Sequence, residues 1–461
     1  MDTVIKGGTV VTAQGARRAD VGIAGERIAA IGPDLAAPQV IDAGGCYVVP
    51  GGIDAHVHLQ MPVGPVVSSD DFFTGTVAAA CGGTTTVIDF VEPAPGQRLG
   101  DALAARRAEA DGRVAVDYGL HMTLADGRPQ VLAQVSEVMA AGATTFKLYM
   151  AYEGLRLDDA GMLAAYAALR EHGGLPIVHA ENHDAIAYLT QQHLSLGHTA
   201  PRFHPLTRPA YMEGEATGRA IALARVAGVP VYIVHVSCAE AVARIRQARQ
   251  AGQPVLGDTC PQYVLLTERE YDRPGFEGAK FVVSPPLRTD SDQEALWAAL
   301  ADGTLAAVVT DHCPFNFRGQ KELGRQAFNR IPGGAPGVEA RLALLHTYGV
   351  RAGRLSLSRW VEVCATAPAR LFGLPQKGEI RVGADADLVV FDPQRQLTLS
   401  RDVLHERVDY TPYEGLALTG YPVLTLLRGR VVCRDGAFVG QPGAGRYLVR
   451  ERPQLCARSG S

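Results

Sequence analysis

Six side chains suited to holding metal ions fall at the ends of, or inside, short apolar runs: His56, His58, Lys147, His179, His235 and Asp311. Two of them stand one strand-step apart in Pro50-Gly51-Gly52-Ile53-Asp54-Ala55-His56-Val57-His58. Alternate side chains of an extended chain share a face, so Asp54, His56 and His58 are expected to point the same way. Neutral imidazole is a good nitrogen ligand, and two on one face can hold one divalent ion. Each residue alone has a plainer explanation. A single buried histidine is usually a hydrogen-bonded core residue, and a single Asp311 would serve as a turn residue. Four histidines and an aspartate at corresponding positions of separate strands favour a metal centre.

Lys147 lies within the apolar run Thr144–Met150. An ammonium there would be costly and would repel cations, unless a carboxylate or solvent were within reach. Burial lowers a lysine pKa, and a neutral amine adds carbon dioxide to form a carbamate. Such an anion has two oxygens with which to bridge two cations.

These residues must be positioned by a fold that converges strand ends. From Ile53 the chain alternates apolar strands with Ala- and Leu-rich helices. Eight strands are expected: Ile53–Leu59, Thr84–Phe90, Val116–Thr123, Thr144–Met150, Pro176–Ala180, Val231–Val236, Pro254–Thr259 and Ala306–Thr310. Helices are expected over Asp71–Ala80, Pro129–Ala141, Asp158–Glu171, Glu215–Val226, Ala239–Gln250 and Asp292–Ala301, with another around Leu357–Phe372. Eight strand–helix units predict an α/β fold, a (β/α)8 TIM-like barrel with its site at the strand C-terminal ends. An open parallel sheet is the alternative.

Both chain ends have β texture. Thr3–Ile5 and Thr9–Thr12 around Gly7-Gly8, and Val21–Ala24 and Arg27–Ile31 around Gly25-Glu26, predict two hairpins. Ala384–Phe391, Val423–Leu427 and Arg430–Cys433 supply late strands. Neither end can bury a core alone, so the two are expected to build one small β-sandwich. The resulting division is residues 1–51 and 375–444 in the sandwich, 52–374 in the barrel, and a tail at 445–461. The tail is expected to be at least partly ordered, at a subunit contact.

The 461 residues are 47% hydrophobic and 20% charged, with a formal charge of -4, an ordinary globular balance. That charge argues against nucleic-acid or anionic-membrane partners. The start, MDTVIKGGTV, lacks the features of a signal peptide, and no apolar run reaches membrane-span length. Eight dispersed cysteines without a Cys-x-x-Cys pair suit reduced thiols in a cytoplasmic protein.

The motifs resemble those of the dihydropyrimidinase/D-hydantoinase family, the cyclic-amidase branch of the amidohydrolase superfamily. They are Gly51–Gln60, Asp70-Asp71-Phe72-Phe73-Thr74-Gly75-Thr76, Gly82-Gly83-Thr84-Thr85, Phe146-Lys147, Val178-His179-Ala180-Glu181-Asn182, His235-Val236-Ser237-Cys238, Ser284-Pro285-Pro286-Leu287-Arg288, Thr310-Asp311-His312-Cys313-Pro314 and Gly383–Val389. The resemblance implies two divalent metal ions, zinc in that family, bridged by carbamylated Lys147 (N6-carboxylysine) and a hydroxide. By position, His56, His58 and Asp311 would hold the buried ion, and His179 and His235 the outer one. Asp311 would act as general base and then acid. Tyr152 would stabilise the oxyanion, and the Ser284 backbone would meet the ring amide. The reaction implied is opening of dihydropyrimidines and 5-substituted hydantoins to N-carbamoyl amino acids, by a homotetramer. One departure is Ile331-Pro332-Gly333-Gly334, where the family usually has asparagine in place of Gly333. A backbone contact there would survive; side-chain support would not.

Met61, Pro62, Val63 and Tyr149 are expected to line an apolar pocket for a ring substituent, though ordinary loop packing would also account for them. Three rivals differ in chemistry. Dihydroorotase places an arginine where this chain has Gln60, and a carboxylated substrate needs a cation. Allantoinase shares the metal site, but a polar ureido tail suits that apolar pocket poorly. Non-catalytic scaffolding relatives have lost metal ligands, whereas all six positions are kept here.

Overall fold

The computed structural model describes residues 1–454. Eight parallel strands form one sheet in chain order: Gly52–Asp54, Thr84–Val91, Asp117–Thr123, Thr145–Tyr149, Leu175–His179, Val231–Ile233, Val255–Thr259 and Ala307–Val308. Helices cover the outside and side chains fill the inside, so these strands read as continuous apolar runs; every residue of Thr84–Val91 is buried. The sheet closes just beyond its first and last strands. Val57 and His312 form a parallel bridge, and His58 N donates to the His312 carbonyl at 2.8 Å.

The first strand is shorter than its sequence suggests. It stops at Asp54, whose carboxylate takes hydrogen bonds from Thr310 N (3.1 Å), Thr310 Oγ1 and His56 N (3.3 Å). Asp54 therefore ties the end of the first strand to the segment just after the last. Two expected helices are also interrupted. Pro129–Ala141 is split into Pro129–Leu132 and Val135–Ala140, with Gln134 between them accepting from Leu99 N. Leu357–Phe372 contains a wide turn at Glu362–Thr366, because Pro368 cannot donate to the Cys364 carbonyl; Arg341 does so at 3.4 Å.

Both chain ends build the β-sandwich. Thr3–Lys6 lies between Asp20–Ala24 and Gln39–Asp42 in a four-stranded sheet. Thr9–Thr12 lies in a seven-stranded sheet, where Tyr47–Pro50 pairs with Leu388–Thr398. Gly7-Gly8 is therefore not a hairpin turn. The chain there crosses from one sheet to the other, which lets Ile5 and Val10 enter the same core. The second hairpin, Asp20–Ala24 with Arg27–Gly32, forms as expected. Residues 445–454 lie on their own barrel: Leu448 N donates to Tyr118 O, and buried Arg450 reaches Thr145 Oγ1 at 2.9 Å. The rest of the tail, with Cys456, lies outside the described residues. Among the described residues no helix is long and apolar enough to cross a membrane.

Candidate active site

The six residues singled out in the sequence converge at one end of the barrel. His56 Nε2 and His58 Nε2 lie 3.3 and 3.1 Å from the same oxygen, Asp311 Oδ1. Lys147 Nζ is 3.4 Å from His56 Nε2. Beside them His179 Nδ1 and His235 Nε2 are 2.9 Å apart, and the His56 and His235 rings are 5.4 Å apart. The six form two adjoining groups, one around Asp311 and one between His179 and His235.

Electrostatics suit the centre to cations. Burial holds the His56, His179 and His235 pKa values below the ordinary histidine range, leaving neutral nitrogen donors. Burial also pushes Lys147 down to about 8, although Asp311, Asp258 and Glu92 oppose it. For Asp311, burial is outweighed by the His58 hydrogen bond and nearby positive charge, so it stays ionised well below the usual carboxylate range. His56 Nδ1, His58 Nδ1 and His235 Nδ1 are buried without hydrogen-bond partners. Neutral imidazoles, an ionised carboxylate and a lysine poised near neutrality fit a divalent-metal centre.

This centre forms the floor of a cavity of about 810 Å³. Met61, Tyr149, Tyr152, Ser284 and Gly333 line its wall, as do Pro62 and Val63. Tyr152 packs on His179 at 4.9 Å between ring centres, and its phenol faces Ser284. Burial raises the phenol pKa, so the hydroxyl keeps its proton. Tyr152, His235 and Asp311 all hold positive φ, at 76°, 43° and 54°. Non-glycine residues pay strain in this region, and such strain clusters at functional sites.

A profile described as the amidohydrolase family matches residues 47–432. The chain belongs to that family. It is 48% identical to D-hydantoinase of Geobacillus stearothermophilus, covering 98% of this chain and 97% of that protein. It is also 48% identical to D-hydantoinase of Streptomyces coelicolor, covering 97% and 98%. The crystal structure of dihydropyrimidinase from Brevibacillus agri NCHU1002 superposes with a TM-score of 0.97 at 49% identity, covering 98% and 99%. These matches place it in the dihydropyrimidinase/D-hydantoinase branch, and it is a hydrolase of cyclic amides. The family uses a metal centre, and His56, His58 and Asp311 offer ligand atoms within 4.8 Å of one another.

Several supporting residues of this amidohydrolase site escaped the sequence reading. Glu181 Oε2 lies 2.7 Å from His179 Nε2 and 2.5 Å from Arg208, which leaves His179 Nδ1 directed at the centre. For Glu181, burial is outweighed by Arg208 and His179, and its carboxyl is held far below the usual range. Asp258 accepts from His235 N and supports its positive φ. Asp89 accepts from Leu59 N at 2.7 Å and pairs with Arg106, fixing the segment after His58. Glu181 had a weak signal, lying two residues beyond His179; Arg208 and Arg106 had none. Gln60 does not line the cavity, whereas its neighbour Met61 does.

Proposed function

We propose that this chain opens the ring amide of dihydropyrimidines and 5-substituted hydantoins, giving N-carbamoyl amino acids. The observation that carries this reading is the pairing of a metal-type floor with a wall bearing the neutral phenol of Tyr152 and Ser284. His56, His58 and Asp311 would hold one divalent ion and His179 and His235 a second, zinc in both cases, with Lys147 as a carbamate between them. When bound, the pair would lower the pKa of water from about 16 to about 7 and polarise the ring carbonyl.

The remaining work falls to the chain. Asp311 takes the nucleophile's proton and returns it to the leaving ring nitrogen. Its low pKa keeps it ionised as a base at neutral pH. Tyr152 donates to the carbonyl oxygen as negative charge develops there. The Ser284 and Gly333 backbones orient the ring, while Met61, Val63 and Tyr149 receive its substituent. We further propose that the enzyme is a cytoplasmic homotetramer, on the strength of the family resemblance.

The test is a parallel assay of dihydrouracil, a 5-substituted hydantoin, allantoin and dihydroorotate, with metal content measured on the same preparation. Preference for either of the first two, with divalent metal present, is expected. Preference for dihydroorotate or allantoin would overturn the substrate assignment, and active protein without divalent metal would overturn the centre.

A further inference from the structure

A second cluster of ligand-type side chains lies outside the active-site cavity, where four distant segments meet. Cys81 ends the helix Phe72–Cys81, and Cys433 lies on the sandwich strand Arg430–Arg434. Glu339 precedes the helix Arg341–Leu345, and His405 lies between the strands Leu388–Thr398 and Ala417–Leu427. None of the four lines the cavity. Ligand atoms of Cys81, Glu339 and His405 lie within 4.8 Å of one another. Cys433 Sγ is 3.2 Å from Cys81 Sγ, and His405 Nδ1 is 2.8 Å from Glu339 Oε1.

We propose that Cys81, Cys433, Glu339 and His405 form a second, structural metal site, taking one zinc-type divalent ion and clamping the barrel to the sandwich. Tetrahedral zinc has bonds of about 2.3 Å to sulfur and about 2.0–2.2 Å to nitrogen or oxygen, which place neighbouring donors roughly 3.3–3.8 Å apart. The S–S separation of 3.2 Å and the N–O separation of 2.8 Å lie below that range, and Cys81, Glu339 and His405 have their ligand atoms within 4.8 Å of one another, so a bound ion would draw the donors, Cys433 most of all, into new positions. Two sulfurs, one nitrogen and one oxygen select zinc over magnesium or calcium. Four protein donors leave no open position, the hallmark of a structural site.

Two features favour a site over incidental packing. Glu339 is only 1% exposed, and its carboxylate is met by His405 N, His405 Nδ1 and Tyr421 Oη; among the described residues no lysine or arginine pairs with it, so a cation would add the charge compensation those partners do not. Gly82, next to Cys81, would put a Cβ 2.2 Å from the Glu339 carbonyl oxygen, so glycine permits the close approach. Binding would need both thiols deprotonated and the imidazole neutral, making occupancy fall in acid.

The test uses the intact enzyme produced in cobalt-supplemented medium. The six candidate ligands of the barrel centre include no cysteine. A thiolate-to-cobalt charge-transfer band lost in a Cys81→Ser/Cys433→Ser variant would therefore report this cluster. The expected result is loss of that band and of one metal equivalent per chain, with cyclic-amide hydrolysis retained. Equal metal content and no band difference would overturn the proposal, as would a Cys81–Cys433 disulfide in place of bound metal. Should the double variant fail to fold, His405→Ala serves as the second test. Its side chain is about one-third exposed. It should weaken metal retention, and unchanged retention would overturn the site.

Discussion

Replacing Tyr152 by phenylalanine removes one oxygen from the cavity wall and leaves the ring in place. The ring packs against His179 and Tyr149, with centres 4.9 and 5.8 Å away, so these contacts should survive the change. The structural cost is one polar contact facing Ser284, about 1 kcal/mol of stability. The catalytic cost should be larger, because the phenol is placed to donate to charge that develops only in the transition state. Removing one such donor typically costs about 10²–10³ in kcat, or roughly 2.7–4 kcal/mol. KM should change little, since the ground-state carbonyl gains less from that donor. Burial raises the tyrosine pKa, so it remains protonated across neutral and mildly alkaline pH, and the loss should be constant through that range. Steady-state kinetics on a 5-substituted hydantoin, with metal content measured in parallel, provide the assay. A kcat within about three-fold of the parent, far short of the usual effect of a lost donor, would refute the role of Tyr152. So would a loss that tracks depleted metal.

Further outcomes follow from other residues. Lys147→Ala should lose bound metal and more than about 100-fold in kcat/KM, beyond the usual cost of losing an outer-shell partner; retention of both without added carboxylic acid would rule out the carbamate. Glu181→Gln unpairs Arg208 and loosens His179, and should cost about 10–100-fold in metal affinity or activity, read by metal titration and kinetics. Gly333→Asn should fold normally and alter substrate preference, because a Cβ there meets only Ser284 Oγ at 3.8 Å. Gly334→Ala should be strongly destabilising, since φ is 145° and its Cβ would lie 2.3 Å from the Cys313 carbonyl; thermal melts separate the two. Burial lowers Lys321 to about 7 while its ammonium donates to the Val282 and Pro332 carbonyls. Above that value the unfolded chain binds more protons than the folded one, so this group's contribution to stability rises with pH. Relative to Lys321→Met, the parent should gain on the order of 2 kcal/mol between about pH 6.5 and about pH 9, measured by denaturant unfolding; a flat difference would refute it.

The amino-acid pattern alone was enough to locate the barrel strands and the six converging residues. Continuous apolar runs mark strands buried on both faces, and metal-ligand side chains at their ends stand out against such a background. The same local pattern misled at Gly7-Gly8, where a hairpin and a crossing between sheets share one turn chemistry, and only the common core selects between them. It overran the first strand, which stops at Asp54, where the carboxylate takes hydrogen bonds from Thr310. Arg208 behind Glu181, and the meeting of Cys81 with Cys433 across 352 residues, belong wholly to tertiary structure. Periodicity records which face of an element is buried, and so it determined the barrel and its ring of candidate ligands. Which side chains touch across elements depends on how those faces dock, so the orientation of the site and its supporting pairs were decided only by the folded chain.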